Sequence, residues 1–207
     1  MLNSLKIPKL ELLKAFIDMA TTADFRNGLC IKHNGDLWKI ESFQHVKPGK
    51  GPAFVRTKIR NLNTSRILEN TFTAGVKIEI VRIENRAYQF LYQEGSETFH
   101  FMNQKDFEQI AIQKELINAP QYLKEGSIVE IMFHAEQEKP LSCTLPVNVN
   151  LKIEFTEPGE KGNTATNALK PAKTETGAEI RVPLFINQGD IVKVDTNSGN
   201  YLERVKE

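Results

Sequence analysis

The residues with the most chemistry to offer lie in one stretch, Lys47-Pro48-Gly49-Lys50-Gly51-Pro52-Ala53-Phe54. Four of the five residues from Pro48 to Pro52 are Pro or Gly, so the backbone turns tightly there, donates few hydrogen bonds and cannot continue a helix or a central strand. The fifth is Lys50. With glycine on both sides it has no neighbouring side chain to shield or pair it, and apolar runs on either side, Leu37 to Val46 and Phe54 to Leu62, place it at the tip of a hairpin. A compact cation held out in this way can meet an anion. An ordinary surface loop with a solvated lysine would read the same on composition alone.

The residues after the loop favour the anion. In Phe54-Val55-Arg56-Thr57-Lys58-Ile59-Arg60-Asn61-Leu62, period-two alternation sets Val55, Thr57 and Ile59 on one strand face and Arg56, Lys58 and Arg60 on the other. No carboxylate occurs between Glu41 and Glu69, whereas Lys47, Lys50, Arg56, Lys58, Arg60 and Arg66 supply six cations. Counted along the chain, nothing local neutralises them. A one-sign stripe running from the loop down its own strand points to a polyanion, most commonly a phosphate backbone.

Other chemistries lack their residues. His33, His45, His100 and His134 form no pairing pattern with Cys30 or Cys143, and no nucleophile elbow, zinc-protease or phosphate-loop motif occurs. Gly49-Lys50-Gly51 lacks the upstream glycine spacing and the Ser or Thr of a nucleotide-binding loop. A catalytic lysine would need a desolvating pocket or a second cation to lower its pKa, and a Gly-flanked tip supplies no pocket. Neither catalytic residues, metal ligands nor a cofactor are therefore expected. The two cysteines, 113 positions apart, read as reduced thiols of a cytosolic protein.

The lysine-tipped loop and its basic strand resemble the signature loop of the bacterial translation elongation factor P family, related to the hypusine-bearing translation factor of eukaryotes and archaea. A second match lies near the other end: Lys170-Pro171-Ala172, Gly177, Ile180, Val182-Pro183, Ile186 and Gly189 fall at the spacing of that family's carboxy-terminal signature. Similarity runs from about Met19 to Glu207, and Met19-Ala20-Thr21-Thr22-Ala23-Asp24-Phe25-Arg26-Asn27-Gly28 is similar to the family's usual beginning. The resemblance implies a non-enzymatic, monomeric, cytoplasmic factor with partners on both ribosomal subunits. It would bind between the peptidyl and exit sites and promote bond formation at consecutive prolines. Lys50, presented by Lys47, Pro48, Gly49, Gly51 and Pro52 and modified by a dedicated enzyme, would order the acceptor end of the peptidyl-tRNA. Arg56, Lys58 and Arg60 would contact tRNA or rRNA. Gly162, Asn163 and Thr164, together with Tyr201 and Arg204, would face the small subunit, although Asn163 stands where the family often carries Asp. The alternative is a generic RNA-binding barrel that uses the same basic strand without a ribosomal role.

The elements that must position these groups read as all-β. At 207 residues, 26% charged and 40% hydrophobic, the chain is ordinary for a soluble protein of up to three small domains. Its net charge of +1 hides an asymmetry: residues 19 to 80 carry 10 Lys and Arg against 5 Asp and Glu, residues 81 to 145 carry 6 against 10, and residues 146 to 207 carry 8 against 9. The basic contact thus belongs to the first segment. Short strands around an Asn34-Gly35 turn, with Trp38 in the core, predict a strongly bent SH3-like (KOW-type) barrel over 19–80.

Residues 81–146 predict an OB-fold. Its strands are Val81 to Glu84, Ala87 to Tyr92, Thr98 to Phe101 and Ile128 to Phe133, with a short helix from Asn103 through Asp106, Phe107 and Ile110. Tyr88, Phe90, Tyr92, Phe99 and Phe101 are assigned to its core or strand faces, because the acidic balance opposes a phosphate partner. Residues 147–207 predict a second OB-fold from Leu151 to Phe155, Ala178 to Val182, Pro183 to Ile186 and Asp190 to Val194, with a loop over Pro158 to Thr176. Residues 1–18 carry Leu10, Leu13 and Ile17 at helical spacing but no apolar run long enough to span a membrane, and are expected to be an extension outside the native fold.

Overall fold

A computed structural model of the chain describes residues 19–159 and 168–205. The extension read at 1–18 lies outside the described residues.

Six strands build the N-terminal sheet: β1 Met19–Thr21, β2 Cys30–His33, β3 Asp36–Val46, β4 Phe54–Asn61, β5 Ile67–Thr73 and β6 Lys77–Ile80. Their order is β1-β6-β2-β3-β4-β5, with every pair of neighbours antiparallel. Asn34 and Gly35 both adopt positive φ (53° and 87°), the turn that matches strand twist in a two-residue hairpin. Trp38 is buried as expected, and its Nε1 donates to the His33 carbonyl at 3.1 Å. It shares a core with Phe25, Leu29, Ile31, Ile40, Val55, Ile59, Phe72 and Ile78. The single strand read over Thr71 to Ile80 is in fact two. Gly75, at φ 79°, reverses the chain so that β6 can pair with both β1 and β2.

The central sheet contains β7 Ile83–Glu94, β8 Thr98–Asn103, β9 Gln109–Gln113, β10 Ile128–His134 and β11 Lys139–Thr144, ordered β11-β10-β7-β8-β9. Two expectations are corrected. Residues 83–94 form one strand rather than two, because Glu84-Asn85-Arg86-Ala87 contains neither Gly nor Pro to break it; the strand bends instead at a bulge between Phe90 and Tyr92. No helix follows Asn103. Its side chain accepts from Lys105 N (2.9 Å) and donates to Asp106 (3.0 Å), closing a tight turn, while Phe107 sits at φ 62° and Ile110 belongs to β9. The local side-chain bonds that can cap a helix here compete with it. Tyr88, Phe90, Phe99 and Phe101 are core, whereas Tyr92 lies on the exposed strand face.

The C-terminal sheet comprises β12 Asn148–Thr156, β13 Leu169–Thr174, β14 Glu179–Pro183, β15 Ile191–Asp195 and β16 Tyr201–Val205, ordered β14-β13-β12-β15-β16. The long loop read to Thr176 ends earlier, at β13, whose alternate residues Lys170, Ala172 and Thr174 are buried. Pro183 to Ile186, read as a strand, is a turn closed by Ile186 N on the Pro183 carbonyl at 3.1 Å. Bulges interrupt pairing in all three sheets and bend their strands, so the molecule is all-β in three small curled sheets as expected. The central and C-terminal sheets share one hydrophobic cluster and one compact unit, Asn85–Phe133 with the chain from Pro140 onward; the N-terminal sheet, with His134–Lys139, forms another.

Candidate nucleic-acid interface

The lysine loop is the seven-residue connection between β3 and β4, whose last paired residues are Val46 and Phe54. Its root is braced. Phe25 meets Phe43 and Phe72 edge-on, with centroids 6.4 and 5.4 Å apart, and Phe43 meets His45 at 5.6 Å. Beyond that root every residue from Lys47 to Pro52 is exposed. Gly51 holds φ 108°, a conformation closed to most side chains, and a Cβ on Gly49 would meet nothing within 4 Å. Among the described residues, no hydrogen bond or ion pair engages Lys47 or Lys50. The loop is therefore a rigid stem ending in an open, cationic tip.

Along β4 the alternation holds residue by residue. Val55, Thr57 and Ile59 are buried, and the Thr57 hydroxyl is satisfied by the Asn70 carbonyl at 2.9 Å. Arg56 and Lys58 are exposed on the other face, and Arg60 is partly so. These three cations are not equivalent, which corrects the reading that nothing local neutralises them. Arg60 grips Glu41 with Nε on Oε1 at 2.7 Å and Nη2 on Oε2 at 3.3 Å, and its Nη1 donates to the Ser65 carbonyl at 3.3 Å. The hydrogen bond from Arg60 holds the Glu41 carboxyl below its usual range.

The physical reason is a β-bulge. Ile40 pairs with Ile59 and Ser42 with Lys58, leaving Glu41 as the extra residue, which swings onto the cationic face. Arg56 instead lies between Gln44 and Thr71, both neutral, and Lys58 between Ser42 and Glu69. Neither forms an ion pair among the described residues. A shallow depression of about 160 Å³ separates them, lined by Ser42, Gln44, Arg56, Thr57, Lys58 and Glu69 with Phe43. Sequence reasoning missed Glu41, Ser42 and Gln44 because it followed β4 and not its neighbour; the pattern of β3 carries the outward positions only once the bulge is known.

The remaining candidates lie apart from this face. Gly162, Asn163 and Thr164 fall outside the described residues. Tyr201 is half-buried and packs against the C-terminal core. Arg204 lies 3.7 Å from Asp190 with its guanidinium 5.9 Å from the Phe185 ring centre. Cys30 and Cys143 are buried free thiols, and burial pushes Cys143 up to about 12. Among the described residues no group of three His, Cys, Asp or Glu could hold a metal, and no helix is long and apolar enough to cross a membrane.

A first sheet that offers a lysine on an open Gly-Pro tip above unpaired cations, followed by two further small β-domains, defines a three-domain all-β factor with a KOW-like front end. Comparison with known proteins agrees domain by domain. Residues 21–78 match the elongation factor P (EF-P) KOW-like domain, residues 83–143 the elongation factor P (EF-P) OB domain and residues 149–204 the elongation factor P C-terminal domain. The chain is 57% identical over 189 residues to elongation factor P of Flavobacterium johnsoniae, covering 91% of this chain and 100% of that one. It is equally identical over 189 residues to "Elongation factor P 1" of Porphyromonas gingivalis, with the same coverage. Among solved structures, the eukaryotic translation initiation factor 5A from Methanococcus jannaschii is similar at a TM-score of 0.45 and 22% identity, over 60% of this chain and 94% of that one. The chain belongs to the elongation factor P family of translation elongation factors.

Proposed function

We propose that this ribosome-associated factor binds between the peptidyl and exit sites and promotes peptide-bond formation at consecutive prolines, acting through Lys50. The observation that carries the proposal is the open tip: Lys50 is exposed, without an intramolecular partner among the described residues, on a stem fixed by paired strands and aromatic contacts. Such a cation is free for two successive uses. A modifying enzyme can reach the amine and extend it, and the extended cation can then lie against the acceptor end of the peptidyl-tRNA. Arg56 and Lys58, unpaired on the adjoining strand, anchor the N-terminal domain on tRNA or rRNA phosphate.

Proline explains the need. It is a secondary amine with fixed φ, poorly placed as acceptor and as donor, so holding the reactants in register lowers a barrier without any catalytic group from the factor. The C-terminal domain reaches the small subunit through Gly162, Asn163 and Thr164 and through Tyr201 and Arg204. No part of this role requires a cofactor, a membrane or a second copy of the chain, and the cytoplasm is its place of action. Residues 19–80, 81–146 and 147–207 divide the work between acceptor end, body and small subunit.

The test is translation of a consecutive-proline reporter in cells lacking the factor. Lys50→Ala should lose rescue while ribosome affinity stays near normal, since one charge at a solvent-exposed tip is a small part of binding; at the reacting centre one placed donor is worth ~2 to 4 kcal/mol of barrier. Lys50→Arg should fail as well, because a guanidinium is a planar fork that an amine-modifying enzyme does not accept. The intact mass of the native Lys50 peptide reports the modification. Full rescue by Lys50→Ala would leave only an RNA-binding barrel without a reactive-centre role.

A further inference from the structure

Beside the hydrophobic cluster they share, the central and C-terminal domains are clasped through two turns. Three residues of the central domain, Gln121, Tyr122 and Lys124, hold two turns of the C-terminal one. At the β13–β14 turn, Thr176 Oγ1 donates to the Gln121 carbonyl at 2.7 Å, and Lys124 Nζ meets Glu175 Oε1 at 2.8 Å. The same carboxylate oxygen accepts from Lys152 N at 3.0 Å. At the β15–β16 turn, buried Tyr122 lies directly against Gly199, where an added Cβ would stand 2.5 Å from the Tyr122 hydroxyl oxygen and 3.6 Å from Cζ. Gly199 adopts φ 71°, and its turn is stiffened by Asp195 Oδ1, which accepts from Asn197 N, Ser198 N and Ser198 Oγ. Glycine here answers two demands at once: a left-handed backbone and a close approach that any side chain would block.

From that contact the chain runs straight into β16, which carries Tyr201 and Arg204. A groove of about 820 Å³ opens beside it, with Tyr122, Gly199 and Tyr201 in its wall. We propose that Tyr122 is a positioning residue: seated on Gly199, it fixes the C-terminal domain against the central one, and so sets where Tyr201 and Arg204 meet the small subunit. The inference rests on the reading that those two residues face that subunit. A factor held at both ends needs a fixed span between its contacts, and packed turns with hydrogen-bonded struts supply it where a flexible linker would not.

The experiment uses the full chain with spin labels at Lys105→Cys and Lys173→Cys, both exposed. Gly199→Ala should shift or broaden the inter-label distance and lower consecutive-proline rescue about tenfold or more, in line with the cost of misplacing a reacting group. Adding Tyr122→Phe removes the oxygen that the new methyl strikes while the left-handed strain at 199 stays, so the double variant should recover a large part of both distance and rescue. Backbone strain at position 199 alone would leave the double variant as defective as the single one, and that result overturns the lock. A Tyr122→Ala variant empties the seat without touching a glycine. It should also broaden the distance, and an unchanged distribution overturns the proposal even if Gly199→Ala fails to fold. Shifted distances with full rescue would likewise refute the positioning role. Should wild-type protein itself fail to rescue the reporter, the proposed function falls, and the distances still decide the lock.

Discussion

The sorting of the three β4 cations can be measured through salt. Each phosphate neutralised by a protein cation releases counterions, which contributes about 0.7 to 0.9 to the slope of log affinity against log salt. Arg56 and Lys58 are unpaired, so each is expected to contribute one such contact; Arg60 already neutralises Glu41 in a two-pronged pair and contributes little. Between 50 and 200 mM salt, one contact changes the affinity loss by about threefold and two by about ninefold. Ribosome binding, followed by anisotropy of a labelled factor at fixed magnesium across that range, should therefore give a shallower slope for Arg56→Gln and for Lys58→Gln, by about one contact each. Arg60→Gln should leave the slope almost unchanged. Glu41→Gln should steepen it, because Arg60 is then released onto the same face. A slope that falls as far for Arg60→Gln as for Arg56→Gln would refute the argument that the bulge takes Arg60 out of the interface.

Other outcomes follow from the same geometry. The bond from Arg60 lowers the Glu41 pKa, so its stabilising contribution is complete above the normal carboxylate range and is lost only as pH falls through the lowered folded value; a carbon-detected NMR titration should place Glu41 below free glutamate, and Arg60→Gln should move it back up. With Cys143 raised to about 12, its thiolate fraction at pH 8 is about one in ten thousand, so a disulfide reagent should leave this thiol untouched until the protein is denatured. Phe101 is fully buried in the central core, and Phe101→Ala should cost about 3 to 5 kcal/mol in denaturant unfolding. Arg204→Ala removes a half-exposed pair with Asp190 and should lower the melting temperature by under about 4 °C while weakening reporter rescue.

How much of this the sequence reveals depends on what each feature rests upon. Hairpins set by local chemistry are legible: Asn34-Gly35 forms the expected turn, and Val55, Thr57 and Ile59 turn inward because alternation is a property of the backbone. Features that depend on a neighbouring strand are not. Asn103 carries the residue type of a helix cap, yet its two side-chain bonds stabilise a turn equally well, and only pairing of β9 with β8 decides between them. The β13 strand is hidden for a similar reason. Lys170 and Thr174 look polar in sequence, but both are buried with their polar atoms bonded, Lys170 Nζ to the Glu157 carbonyl at 2.6 Å and Thr174 Oγ1 to the Ala178 carbonyl at 3.1 Å. The clasp at Tyr122 has no local sequence signal at all, since the partners of residues 121–124 lie some fifty to eighty positions away.

The candidate interface shows why charge counted along a chain misleads. Six cations without an intervening carboxylate describe a stretch of chain, but a partner meets a face, and the face is set by register. A single extra residue in β3 delivers Glu41 to Arg60 and leaves Arg56 and Lys58, nearer the loop, without an ion pair among the described residues. The result is a gradient. The cation at the far end of β4 is committed to the fold, where a paired Arg ties the β3–β4 ribbon to the turn at Ser65; those close to the tip remain open to solvent with Lys47 and Lys50. Moving the pairing carboxylate toward the tip should reverse this. In Gln44→Glu, whose side chain would face Arg56 across the ladder, a new ion pair forms beside the loop and removes one free cation. That variant should fold normally, bind ribosomes with a shallower salt slope by about one contact, and lose more of its affinity than Arg60→Gln does. Unchanged ribosome binding by Gln44→Glu would mean that the partner does not approach this face of β4.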